Sequence, residues 1–142
     1  MNTKPTVKVA ASDVTPSHRQ GGSTRALLTP LSVGAVSGFM GTIELEPGEF
    51  ISEHYHPYSD KFLYLISGEV VVLLNAEEVE LKADEAVLIT RGMRNRMENR
   101  GTDTARAVFH VSPLAPRPDL GHVDTEPVPA PDAGPPRVGG IS

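Results

Sequence analysis

The stretch Pro47-Gly48-Glu49-Phe50-Ile51-Ser52-Glu53-His54-Tyr55-His56-Pro57-Tyr58-Ser59-Asp60-Lys61-Phe62-Leu63-Tyr64-Leu65-Ile66-Ser67-Gly68 decides the fold. Pro47-Gly48-Glu49 is a turn. Phe50–His56 follows as a β-prone run that Pro57 ends. Lys61–Ser67 is a second run, and Glu69–Asn75 a third. The last two flank Gly68 and read as a hairpin with apolar residues on both faces. Outward from this stretch the pattern repeats. Upstream, Val33–Leu45 is a long β-prone run interrupted by Gly34, Gly38 and Gly41, and glycines inside a strand signal a bend or the close approach of another backbone. Downstream come Val79–Lys82, Ala86–Thr90, a turn at Arg91-Gly92, Asn95–Glu98, a turn over Asn99–Asp103, and a last strand Ala105–Ser112 closed by Pro113. The best helix candidate, Ala76–Asp84, is short and acidic, and Val79 and Leu81 alternate at the strand period. Many short strands with turns between them predict an all-β sandwich or barrel. Runs that are apolar on both faces predict two covered surfaces, an enclosed interior and an outer one against a second sheet or a second subunit.

The ends differ in composition. Residues 1–32 mix polar and apolar residues with prolines and glycines, and read as an N-terminal arm with one or two short strands. Residues 33–112 carry the barrel. Residues 113–142 hold eight of the thirteen prolines and no aromatic residue. Such a C-terminal extension cannot bury enough apolar surface to order itself, so it is expected to be extended, draped over a partner surface, or disordered. The 142 residues suit one domain. A net charge of −5 offers no basic stripe for phosphates, and nucleic acid is not an expected partner. With no cysteine, disulfide scaffolds, thiolate metal sites and Cys nucleophiles are excluded together. No apolar run approaches the length of a membrane span. The opening residues Met-Asn-Thr-Lys-Pro-Thr-Val lack a signal-peptide core. A cytoplasmic protein is the expectation.

The chemistry lies in His54-Tyr55-His56. Residues two apart on a strand share a face, about 7 Å apart along the backbone, and two imidazoles so placed can converge on one cation. Two solvated histidines on a strand face are the plain alternative. The spacing around them supplies a context. Gly48, His54, His56, position 61 and Gly68 have the spacing of the first motif of the cupin family, and Gly92 and Asn99 match parts of its second motif. The chain therefore resembles a cupin, which implies a small jelly-roll barrel (a double-stranded β-helix) with its site inside. The segments Glu53–Tyr64 and Ala107–Glu126 are similar to the cupin-type cyclases of aromatic polyketide pathways, of the tetracenomycin, spore-pigment and resistomycin type. That similarity runs from about Val14 to Glu126.

Two departures from the cupin pattern bear on the site. Lys61 stands where most cupins place a carboxylate ligand, and Asn95 where they place the third histidine. Other histidines must then complete the coordination of a metal. Alternation puts His110 on one face with Val108 and Arg106, opposite Phe109. If that face is inward, and if this closing strand runs beside His54 and His56, His110 reaches the ion; otherwise it is an interior histidine bonded to backbone or water. His122 could arrive with the tail, folded over the barrel mouth or over a partner subunit. His18, in the polar arm, is a further candidate. An all-imidazole set suits Zn²⁺, Fe²⁺, Ni²⁺ or Co²⁺, with Zn²⁺ first because nothing demands electron transfer. Lys61 could reach solvent, bind an anionic oxygen of the substrate, or act as a base with a pKa lowered by burial. Asn95 reads as a hydrogen-bonding residue of the cavity wall. Arg91, Arg94, Arg96 and Arg100 read as a solvated turn, or as a capture site for an acidic carrier protein. Met40, Met93, Met97, Phe39, Phe50, Phe62 and Tyr64 read as core, dimer or cavity-lining residues.

The resemblance implies a metal-dependent cyclase that closes a ring in a poly-β-ketone, presented free or on an acyl carrier protein; the residues themselves are read as His54, His56 and Lys61 in the catalytic site and His54, His56 and His110 on the metal. The alternatives are a cupin oxygenase and a non-catalytic accessory protein of the same pathway. The need to cover an outer sheet predicts a homodimer.

Overall fold

A computed structural model describes residues 7–138; apart from Val7, the N-terminal residues read above for a leader lie outside the described residues. Ten strands are present among them: β1 (Ser23–Leu28), β2 (Phe39–Leu45), β3 (Phe50–Tyr55), β4 (Asp60–Ser67), β5 (Glu69–Leu74), β6 (Glu77–Lys82), β7 (Ala86–Ile89), β8 (Asn95–Glu98), β9 (Ala105–Ser112) and β10 (Val123–Asp124). They form two five-stranded antiparallel sheets, ordered β1-β2-β9-β4-β7 and β10-β3-β8-β5-β6. This is the expected all-β jelly roll. Among the described residues no helix is long and apolar enough to cross a membrane.

Two local expectations change, and among the alternatives for the tail the extended one holds. The run from Val33 does not start as a strand. Pro30–Val33 forms one helical turn, α1, opened by a reciprocal cap in which the Ser32 amide donates to the Thr29 hydroxyl and the Thr29 amide to the Ser32 hydroxyl, with Gly34 in the left-handed region (φ 70°) ending it. β2 begins only at Phe39. Within β2, Gly41 meets the predicted close approach: a Cβ there would lie 2.0 Å from the Arg25 carbonyl oxygen of β1. Gly68 is not a hairpin turn. β4 and β5 belong to different sheets, and Gly68 (φ 84°) is the corner at which the chain passes from one to the other. A single residue is too short for the common two-residue hairpin loop. The true hairpin is β5–β6, closed by Asn75 and Ala76, both at positive φ. The tail is extended and crosses its own barrel. Val123-Asp124 adds to the edge of β3, the Arg19 carbonyl accepts from the Ala130 amide, and the Val138 carbonyl accepts from the Leu31 amide.

Alternation on the inner faces creates a filled end and an open end. On β4 the inward row is Lys61, Leu63, Leu65; on β9 it is Ala105, Ala107, Phe109, Val111. Leu45, Leu65 and Val72 are essentially without solvent contact, in one core with Ile43, Ile51, Leu81 and Met97. Burying each such side chain contributes roughly 1.5–3 kcal/mol. Lys61 continues the leucine row into the open end. The outer face of the first sheet is a different surface: Phe62, Tyr64, Ile66 and Leu88 are 47%, 43%, 39% and 47% exposed.

Candidate metal centre

A bulge aims the histidines. β3 pairs with β8 as Ile51↔Met97 and then His54↔Asn95, so β3 carries one residue more than its partner. Ile51 and His54, an odd number apart, therefore both point inward, a re-aiming that bulges commonly perform beside sites. His56 follows two residues on. The third imidazole comes from the tail. After the turn Pro118–Leu120, β10 pairs Val123 with Tyr55 and Asp124 with His54, which carries His122 alongside the end of β3. The His54 and His122 rings stack at 4.4 Å between centroids, and His56 stands edge-on to both, at 5.1 Å and 5.6 Å. One ring nitrogen from each of the three lies within 4.8 Å of the others.

Each ring has one nitrogen anchored and the other free. His54 Nδ1 donates to the Ser52 carbonyl at 2.8 Å, and His56 Nδ1 to the Gly121 carbonyl at 2.9 Å. His122 Nε2 donates to the Asp124 carboxylate at 2.6 Å, with the Gln20 side-chain amide against the same nitrogen. An anchored donor leaves the opposite nitrogen as a lone pair, the tautomer a metal requires. Burial reinforces it. His54 is held well below its ordinary pKa by desolvation first, then by Lys61 and the other two imidazoles. His56 is pushed down to about 3 by desolvation and then Lys61, and His122 is lowered chiefly by desolvation. All three are neutral at pH 7. His56 Nε2 is buried with no hydrogen-bond partner, as a ligand nitrogen awaiting a cation would be. The three imidazoles thus fit a divalent metal, as a three-ligand set with a position left open.

The other sequence candidates fall into place around this group. Lys61 is buried in the same cavity wall, its pKa lowered to about 8 by desolvation. Asn95 is buried and donates to the His54 carbonyl at 3.1 Å; it holds β3 in position. His110 does not join the site. Its face of β9 is the outer one, where it stacks on exposed Phe62 at 5.9 Å, and β9 runs between β2 and β4 in the sheet that lacks β3. His18, on the arm, is bonded to the Gly22 carbonyl. Arg96 and Arg100 are tied up by carboxylates, Arg96 by Glu98 and Glu126, Arg100 by Glu78 and Glu98. Arg91 and Arg94 are exposed on the turn whose Gly92 amide donates to the His56 carbonyl. Asp124 and Gln20 escaped the sequence reading. The one available signal for Asp124 was His122-Val123-Asp124, a strand-period pair like His54-Tyr55-His56.

The site opens into a cavity of about 470 Å³. Phe39, Ile43, Ile51, Phe109 and Val111 form its apolar walls. Leu114, Pro118, Pro135 and Val138 from the tail line it as well.

Comparison with known proteins gives the following. The cupin domain family matches residues 41–111. The chain is 70% identical over 133 residues to the tetracenomycin polyketide synthase protein TcmJ of Streptomyces glaucescens, covering 94% of this chain and 89% of that one. It is 52% identical to polyketide synthase CurC of Streptomyces cyaneus, covering 83% of this chain and 77% of that one. Among solved structures it superposes on the polyketide cyclase RemF of Streptomyces resistomycificus with a TM-score of 0.68 and 18% identity, covering 89% of each chain.

Proposed function

We propose, from the premise that this chain belongs to the cupin family, that it is a cytoplasmic, metal-dependent cyclase of aromatic polyketide biosynthesis. It closes a ring in a poly-β-ketone by an aldol-type step followed by loss of water. The observation that carries the reading is the set of three anchored imidazoles, with one ring nitrogen of each within 4.8 Å of the others, in the wall of an apolar cavity. The names of the relatives supply the substrate class.

His54, His56 and His122 would hold the ion, Zn²⁺ before Fe²⁺, Ni²⁺ or Co²⁺. When bound, it would supply Lewis acidity toward a carbonyl oxygen, polarising that carbonyl for attack by the enolate carbon of a β-dicarbonyl unit. The chain's own residues do the rest. Phe39, Ile43, Ile51, Phe109 and Val111 line a space in which a flexible chain must fold back on itself, which brings the two reacting carbons together. Leu114, Pro118 and Pro135 of the tail add apolar surface against which the extended chain would pack. Asp124 holds the proton on His122 Nε2, and the Ser52 and Gly121 carbonyls hold those on the other two rings. Aromatisation makes the step irreversible.

The test is turnover of a linear poly-β-ketone by purified protein, with and without chelator and with and without oxygen. The expected result is loss of ring closure on chelation, recovery on adding Zn²⁺, and indifference to oxygen. An oxygen requirement would instead support an oxygenase. No ring closure by the purified protein, with or without added metal, would support an accessory binder, the reading favoured by Lys61 and Asn95 at the places of the usual ligands.

We propose further that a second copy covers the outer face of the first sheet. Single chains rarely leave large contiguous apolar patches in water, and Phe62, Tyr64, Ile66 and Leu88 make one. Light scattering at micromolar concentration should give twice the chain mass, and Phe62→Glu should halve it. A wild-type mass of one chain contradicts the proposal.

A further inference from the structure

Lys61 has no structural reason to be a lysine. It stands on the inner face of β4, in register with Ile89 of β7 and Val111 of β9, both apolar. It is 7% exposed. Its Nζ lies 5.2 Å from the centroid of the Phe109 ring, within cation–π reach, but a ring face is no anion and does not neutralise the charge. Among the described residues no carboxylate pairs with it and no acceptor is bonded to it; desolvation alone displaces its protonation. Asp119, the acidic residue that lines the cavity, is paired with Arg117, and Asp124, outside the lining, is paired with His122. The groups it faces across the cavity, His54, His56 and His122, are neutral or, once protonated or metal-bound, positive. An unpaired ammonium in such a wall destabilises the fold, and a leucine or methionine would continue the row of Leu63 and Leu65.

We propose that the missing partner is the ligand: Lys61 anchors an anionic oxygen, and the cavity takes β-dicarbonyl compounds as their enolates rather than as neutral ketones. A β-dicarbonyl shares its negative charge between two oxygens. One reaches the Lys61 wall in a charge-assisted hydrogen bond, and the other faces the imidazoles. The apolar walls take the carbon framework. The inference rests on the poly-β-ketone reading and narrows it to an ionisation state.

The experiment is calorimetric titration of chelator-treated full-length protein at neutral pH with dimedone, a β-dione that is ionised there, and with its neutral enol methyl ether. The two oxygens of dimedone diverge, so it cannot chelate residual metal, and the chain has no cysteine for it to modify. Wild-type protein is expected to bind dimedone about tenfold or more tightly than the ether, the scale of one charged hydrogen bond. Lys61→Met is expected to erase that preference and leave the ether affinity unchanged. Equal affinities in the wild type, or a preference that survives Lys61→Met, overturn the proposal. A second reading needs no ligand. Because the ammonium has no partner, Lys61→Met should raise the melting temperature, by about 5 °C. A variant that melts lower or does not fold would mean a structural partner for Lys61, and would overturn the proposal too. Neither measurement uses a metal or turnover. Failure here leaves the cyclase reading standing, and failure of the cyclase reading leaves this one measurable.

Discussion

Replacing His56 or His54 with alanine is expected to take bound divalent metal from about one ion per chain to a tenth or less. Ring closure should fall by at least about a hundredfold. Loss of a partner that merely orients a ligand weakens metal binding by about 10–100-fold, and loss of the ligand itself removes one of only three donors. The barrel should survive. His56 Nε2 has no protein partner to lose, and both rings line the open cavity rather than the packed end around Leu45 and Leu65. Elemental analysis beside circular dichroism reads both quantities on one sample. A folded variant with undiminished metal would remove these residues from the coordination.

The second large effect separates two histidines of the C-terminal half. His122→Ala is expected to cost at least about tenfold in metal affinity and a comparable loss of turnover, whereas His110→Ala should change neither. His122 stacks on His54 and is backed by Asp124, in the carboxylate–imidazole arrangement that raises ligand basicity. His110 lies against Phe62 on the outside of the barrel. Competition with a chromogenic chelator measures the affinity. Metal lost with His110 and kept without His122 would mean that the tail does not close over the site as described.

The contrast between these two residues shows what a sequence can and cannot carry. His54 and His56 were legible because the strand period makes them share a face whatever the rest of the chain does. The same period correctly grouped His110 with Arg106 and Val108, but periodicity does not say which face is inward. That is decided by the register with β4, where His110 pairs with Phe62 and Phe109 with Leu63, and no local pattern encodes it. Gly68 was misread for a related reason: two β-prone runs about a glycine look alike whether the chain reverses within one sheet or turns into another. The bulge in β3 is equally silent in Ser52-Glu53. His122 stays outside the ligand set that the sequence suggests because its segment has no packing signal of its own. The tail is docked through backbone groups distant in sequence, among them the Pro131 and Ala133 carbonyls that accept from Arg19, and the Gly134 carbonyl that accepts from Ser17. Asn95 is buried, as its reading as a wall residue expects, whereas for Lys61 the sequence leaves solvent and interior both open, and only the register of β4 turns it inward.

X-ray absorption at the metal edge of the purified, full-length protein tests the central claim most directly. One divalent ion per chain, with a shell of three imidazole nitrogens at about 2.0–2.1 Å, is the predicted spectrum. A protein that closes rings while binding no stoichiometric ion, or an ion whose shell lacks imidazole scattering, would contradict it.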